Sequence, residues 1–233
     1  MRGNALDFFD EIYCIILNPD NKVAASLQAD KAGVLDRVSF YTPPDFLSYG
    51  LPEEVRQEAR VFYSYRNIFQ RAFDNGSANV LVFLDSAVFI DLSSLREGLM
   101  ELSKAFRLSR GMHWEVVLLG TDPLDNLVSI TSHLFHVIRG CSLYCAGFNH
   151  TFIHPFLEFL GPTEEDVINA MKETGVRYNS FEDWIQRYKP GLNLLCIGPP
   201  AACVDPSLHH KIKISIPEQK DKFNFFTRKS LDF

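Results

Sequence analysis

Several of the side chains in this chain that could hold a cation or move a proton follow an apolar run. Asp85-Ser86 comes directly after Asn79-Val80-Leu81-Val82-Phe83-Leu84, and Asp122 and Asp125 come just after Gly120, which closes a second run, Trp114-Glu115-Val116-Val117-Leu118-Leu119. A carboxylate in such a place can bind Mn²⁺ or Mg²⁺, which take oxygen ligands, and a cation there neutralises a diphosphate as it leaves. Asp85 reads either as a metal or ribose ligand or as a polar strand-end residue capping a turn. Ser86 reads as a contact to phosphate or water, or as an ordinary turn serine. Asp122 or Asp125 can be the general base that deprotonates an acceptor hydroxyl, or no more than a loop aspartate. His209-His210 can bring an imidazole to a metal from a late loop, or lie exposed in it. His150 and His154 are four apart, a spacing that lets two imidazoles share a metal, but Pro155 follows at once and no third ligand stands near.

The elements that must position these groups alternate in type. Ile12 to Leu17 is a short apolar run closed by Asn18-Pro19-Asp20-Asn21, as expected of a strand buried on both faces. A helix is expected from Asn21 to Gly33, and a short strand at Val38-Ser39-Phe40-Tyr41 stops before Pro43-Pro44. Pro52 to Phe73 has helical spacing and ends at Asp74-Asn75-Gly76. The runs at 79–84 and 114–120 read as strands, and Ser94 to Phe106 as a helix with a Ser94/Glu97 capping box. Strands are favoured over Val128 to Arg139 and Ser142 to Gly147, helices over Phe152 to Leu160 and Thr163 to Thr174, with another opening at Ser180. Leu192 to Ile197 is a late strand before Gly198-Pro199-Pro200. The pattern predicts an α/β domain with a mostly parallel sheet covered by helices on both faces, with Asp85, Ser86, Gly120 and Asp122 on the rim at the carboxyl ends of the strands. The chain has no Gly-rich phosphate loop, nucleophile-elbow serine or zinc-protease helix.

Taken in order, these segments resemble glycosyltransferase family 25, the lipopolysaccharide and collagen-type galactosyltransferase relatives. Phe8 to Leu17 is similar to that family's opening strand, and Tyr63-Ser64-Tyr65-Arg66-Asn67-Ile68-Phe69 to the helix that carries its Ser-His pair. Asn79 to Phe89 is similar to its Asn-Val-Leu-Ile-Leu-Glu-Asp-Asp strand, Trp114 to Gly120 to its next strand, and Leu192 to Pro200 to its late strand and double proline. The resemblance implies a single-domain GT-A-like fold over residues 1–210, with a charged and aromatic tail over 211–233. It implies a UDP-sugar donor contacted around Leu17, Ser64, Asp85 and Ser86, and Mn²⁺ or Mg²⁺ on Asp85 and His209. Acid assistance to an acceptor hydroxyl would come from Asp122 or from Asp183, in the Glu182-Asp183-Trp184 segment whose acids also suit the first turn of a helix. Departures from the pattern are specific. One carboxylate of three remains in Leu84-Asp85-Ser86, Tyr65 stands where the imidazole would be, and Asn18-Pro19-Asp20-Asn21-Lys22 lacks the usual arginines. Lys22, Arg60 and Arg66 are the basic candidates for a leaving diphosphate.

Composition bounds the rest. At 233 residues, 46% hydrophobic and 22% charged, the chain can bury a large core. A net charge of −6 gives no reason to expect nucleic acid. Five cysteines without framework spacing read as free thiols in a reducing compartment. No run of about 18 apolar residues suggests a span, so the expected place is cytoplasmic, or peripheral to a membrane if the Lys- and Phe-rich tail touches one. Two functions follow as expectations. One is hexose transfer from a UDP-sugar to a glycan or lipid-linked hydroxyl. The other is an inactive pseudo-glycosyltransferase acting as a binding or assembly subunit, with a homo-oligomer among its partners.

Overall fold

The computed structural model describes residues 4–108, 114–120, 126–139, 143–173, 185 and 191–205. Its strands and helices, in chain order, are β1 (Glu11–Ile15), α1 (Lys22–Lys31), β2 (Val38–Tyr41), α2 (Glu53–Asp74), β3 (Asn79–Leu84), β4 (Ala87–Phe89), α3 (Leu92–Leu108), β5 (Val116–Leu118), β6 (Asn126–Ser129), β7 (Leu134–Arg139), β8 (Cys145–Asn149), α4 (His150–Leu160), α5 (Glu164–Glu173), β9 (Leu194–Ile197) and β10 (Ala202–Val204). Eight strands join in the order β2-β1-β3-β8-β5-β9-β7-β6, and β4 pairs with β10 in a separate two-stranded sheet.

The side-chain alternation of the strands divides the core. Val80 and Val82 of β3 face one way, into a cluster with Phe62, Tyr65 and Phe69 of α2, Phe152 and Phe156 of α4, and Val167 of α5. Leu81 and Phe83 face the other way, with Ala25 and Ala29 of α1 and Leu95, Leu99 and Leu102 of α3. Both faces of β3 are therefore dry, which is why it is a continuous apolar run. Gly147 of β8 is part of the same packing: a Cβ there would lie 2.4 Å from the Phe9 ring, so the missing side chain lets that ring lie on the sheet.

The α/β expectation is met, with helices on both faces. The sheet is less uniform than expected. Strands β7 and β8 run against the strands they pair with, and β8 sits between β3 and β5. Apolar content reports burial, not direction, so the reversal had no signal in the runs themselves. The expected capping box is also corrected. Helix α3 begins at Leu92, and Asp91 is the residue that caps it, its Oδ1 accepting from the amides of Ser93 (3.0 Å) and Ser94 (3.1 Å). Both serine hydroxyls donate to the same carboxylate, and these bonds hold its pKa down at about 2. Cys14, Cys145 and Cys196 are free thiols, while Cys141 lies outside the described residues.

Candidate functional site

Outside the carboxyl ends of β1 and β3, two exit loops run side by side. Strand β1 leads into Ile16-Leu17-Asn18, and β3 leads into Asp85-Ser86. Asp85 is only 4% exposed. Its amide donates to the Ile15 carbonyl at 2.9 Å, and its Oδ2 accepts from the Asn18 amide at 2.8 Å. A buried carboxylate needs such donors, and this one fixes the β1 exit to the tip of β3. Asn18 in turn accepts from the Asp20 amide at 3.1 Å, opening the turn that leads to α1.

The first turns of α2 bring Arg60 to the same loop. Arg60 donates from Nη2 to the Leu17 carbonyl at 2.9 Å and from Nη1 to Gln57 at 3.0 Å. Burial pulls its pKa below the ordinary value, Asp45 and Asp85 oppose that, and Arg56 adds to it. Arg56, one turn earlier, lies 3.5 Å from Asp45 and contacts Glu53. The Nε atoms of Arg56 and Arg60 are both buried and have no hydrogen-bond partner among the described residues.

The other expected donor contacts sit at different depths. Leu17 is half-buried and packs on the α2 side of the core. Ser64 is fully buried, and its hydroxyl donates to the Arg60 carbonyl at 2.6 Å. Tyr65 is 1% exposed; it packs on Phe69 and Phe148, and its hydroxyl donates to the Leu143 carbonyl at 2.9 Å. Ser86 is buried, and its carbonyl accepts from the Asp205 amide at 2.8 Å, continuing the β4–β10 pairing. That small sheet lies against the end of β5 through a bridge between Gly120 and Ala202. A Cβ on Gly120 would come 2.6 Å from the Ala202 carbonyl oxygen and 2.4 Å from the Tyr144 ring, so the contact requires glycine.

Of the basic candidates, Arg60 is brought to the rim, and Lys22 is exposed at the start of α1. Arg66 instead holds the end of α4, donating to the Gly161 carbonyl at 3.0 Å. His154 lies 3.6 Å from Glu158 and packs on Phe73. Asp122, Asp125, Asp183 and His209 lie outside the described residues, as does the 211–233 tail. The position that the sequence reading missed is Asp205, whose place beside Ser86 follows from β10, a three-residue strand without a periodic signature.

A second polar cluster ties α3 to the turn between β6 and β7. Glu101 accepts from the hydroxyls of Thr131 and Ser132 and from the His133 amide, and it lies 3.1 Å from His133 Nδ1, while Glu97 lies 2.8 Å from Nε2. Burial pushes the Glu101 pKa up, but the hydrogen bonds of Thr131, His133 and Ser132 outweigh it and bring it down to about 2. A carboxylate depressed on folding stabilises the protein above its unfolded pKa, about 4.3, and that stabilisation is lost as pH falls through 2. Urea midpoints measured from pH 5 to pH 2 are expected to fall less steeply in Glu101→Gln than in the native protein. Equal slopes would show that this carboxylate does not couple folding to pH.

Of the residues expected to hold Mn²⁺ or Mg²⁺, Asp85 is described, while His209 lies outside the described residues. Mn²⁺ and Mg²⁺ need several oxygens, and Asp85 already has one oxygen on the Asn18 amide. Among the described residues, no group of three His, Cys, Asp or Glu side chains converges to hold a metal, and no helix is long and apolar enough to cross a membrane.

No protein-family model matches the chain, and no curated protein sequence matches it. Solved structures do. A glycosyltransferase involved in glycosylating the major capsid protein of PBCV-1 aligns at 10% identity and TM-score 0.41, covering 80% of each chain. Mannose-1-phosphate geranyltransferase from Thermus thermophilus aligns at 13% identity and TM-score 0.39, over 79% of this chain and 58% of that one. An apo UDP-glucose pyrophosphorylase aligns at 6% identity and TM-score 0.39, over 80% and 72%.

Proposed function

We propose that this protein binds a UDP-sugar at the rim of β1 and β3 and transfers its hexose to a glycan or lipid-linked hydroxyl, in the manner of the family 25 enzymes that its sequence resembles. The observation that carries this reading is the buried Asp85 at the tip of β3, beside the Leu17-Asn18 loop and within electrostatic reach of Arg60. Open α/β sheets take their ligands at such strand ends. In the proposed reaction, the acceptor oxygen attacks the anomeric carbon as Asp122 or Asp183 takes its proton. The bond from that carbon to the diphosphate breaks, its electron pair leaves with UDP, and the configuration inverts. Leu17, Asp85 and Ser86 frame the donor in this proposal, Ser64 is buried with its hydroxyl on the Arg60 carbonyl, and His209 is a further candidate contact. The metal makes no step here.

A second reading, a pseudo-glycosyltransferase that binds or assembles without transfer, is favoured by the use of Asp85 Oδ2 on the Asn18 amide and by the packing of Tyr65 into the core. Thermal unfolding with UDP, GDP and their sugars, each with and without Mn²⁺, tests both. Under the proposal, one UDP species stabilises the native state by about 2.7 kcal/mol at a hundredfold excess over its dissociation constant, and product analysis then shows a sugar on an added acceptor. Stabilisation without turnover would favour the second reading. No stabilisation by any nucleotide in a folded sample would remove the first.

A further inference from the structure

The two orphaned guanidinium nitrogens stand four residues apart on one helix. Among the described residues, the buried side-chain nitrogen or oxygen atoms without a hydrogen-bond partner are Arg56 Nε and Arg60 Nε. Residues four apart on a helix are neighbours on one face, and Arg60 places that face at the rim by its bond to the Leu17 carbonyl. A buried unpaired N–H is costly, and native proteins rarely keep one without a reason. Asp45 and Asp85 act on Arg60 through space, but the two arginines differ in their direct partners. Arg56 is already held by Asp45 and Glu53, whereas Arg60 uses its terminal nitrogens on neutral oxygens, those of Leu17 and Gln57. A half-buried cation whose terminal nitrogens are hydrogen-bonded to neutral acceptors suits an anion of several oxygens. A guanidinium meets phosphate oxygens in pairs, as an ammonium cannot.

We infer that Arg60, with Arg56 behind it, is the anchor for the diphosphate of the donor, so that an arginine at this rim takes the charge that a divalent cation would otherwise neutralise. This rests on the nucleotide-sugar reading above and adds the group that receives the phosphates. In group transfer, the same guanidinium stabilises the negative charge that builds on UDP as the anomeric bond breaks.

The test is calorimetric titration of the full chain in excess EDTA with UDP, uridine and inorganic pyrophosphate. The variants are Arg60→Lys and Arg60→Met, with circular dichroism and thermal midpoints reporting their folding. UDP is expected to bind the native protein without metal, and Arg60→Met to weaken UDP and pyrophosphate by about 10- to 100-fold while leaving uridine unchanged. Arg60→Lys should recover part of the loss, since it restores charge without the fork. Equal weakening of UDP and uridine would overturn the inference, because it would mean that Arg60 merely shapes the loop through Leu17. UDP binding that requires Mn²⁺ and ignores Arg60 would overturn it too, with the nucleotide reading intact. Pyrophosphate binding that depends on Arg60, without any contribution from uridine, would keep the anion site and sink the nucleotide reading instead. Absence of binding by all three would remove both.

Discussion

Phe69→Ala is expected to lower the free energy of unfolding by about 3–5 kcal/mol, the range for deleting a buried aromatic ring. Phe69 is fully buried, with the rings of Phe148 at 4.9 Å, Phe156 at 5.1 Å, Tyr65 at 5.6 Å and Phe152 at 6.0 Å between centroids. Its ring joins α2 to β8 and α4, so truncation leaves a cavity bounded by several elements that cannot all close on it. In a protein whose whole stability is about 5–15 kcal/mol, that loss puts folding itself at risk. Phe69→Leu, which keeps most of the volume, provides the variant for measurement, and it should lose clearly less. Urea unfolding followed by tryptophan fluorescence reads both. A cost below about 1.5 kcal/mol for Phe69→Ala would show that the helices close over the gap, and that the aromatic cluster is not what fixes α2 on the sheet.

Asp85 separates fold from function more directly. Asp85→Ala removes the acceptor of the Asn18 amide and is expected to cost about 1.5–3 kcal/mol, the range for hydrogen bonds to charged groups. Asp85→Asn keeps an acceptor oxygen and should recover most of that loss in denaturant unfolding. Equal stability of native and Asp85→Ala proteins would mean that the β1 exit does not depend on this bond. The Asn variant also bears on the site. If Arg60 takes the diphosphate, removing a negative charge within its electrostatic reach leaves pyrophosphate binding unchanged or tighter. If Asp85 instead held a cation, the same variant would abolish Mn²⁺-dependent binding.

Much of this architecture was written in the apolar runs. Strands β2 and β3 fall where the runs at Val38–Tyr41 and Asn79–Leu84 place them, and Asp85 follows β3 as expected. What could not be read was of three kinds. The first is direction: β8 is buried like its neighbours, and nothing in Cys145–Asn149 says that it runs against them. The second is brevity, since β4 and β10 have three residues each and are strands because they pair with each other across the chain. The third is the backbone as a partner. Asp85 finds the Asn18 amide and Arg60 the Leu17 carbonyl, and main-chain groups leave no mark in side-chain identity. Arg60 stood among the basic candidates, but that its Nε and that of Arg56 are both buried without a partner among the described residues needed coordinates.

The position of β9 bears on how the chain can be made. It lies inside the large sheet between β5 and β7, although it comes from residues 194–197, and β10 follows it to pair with residues 87–89. During synthesis, the four strands at the β2 end can assemble once β8 is available, but β5 and β7 have no common neighbour until residue 197 has left the ribosome. Contacts so distant in sequence carry a loop-closure cost that is repaid only at the end. Until then the nascent chain holds the edge of β5 open, a template for wrong pairing. The stretch that makes β9 arrives among the last described elements, and it is the one that seals that edge.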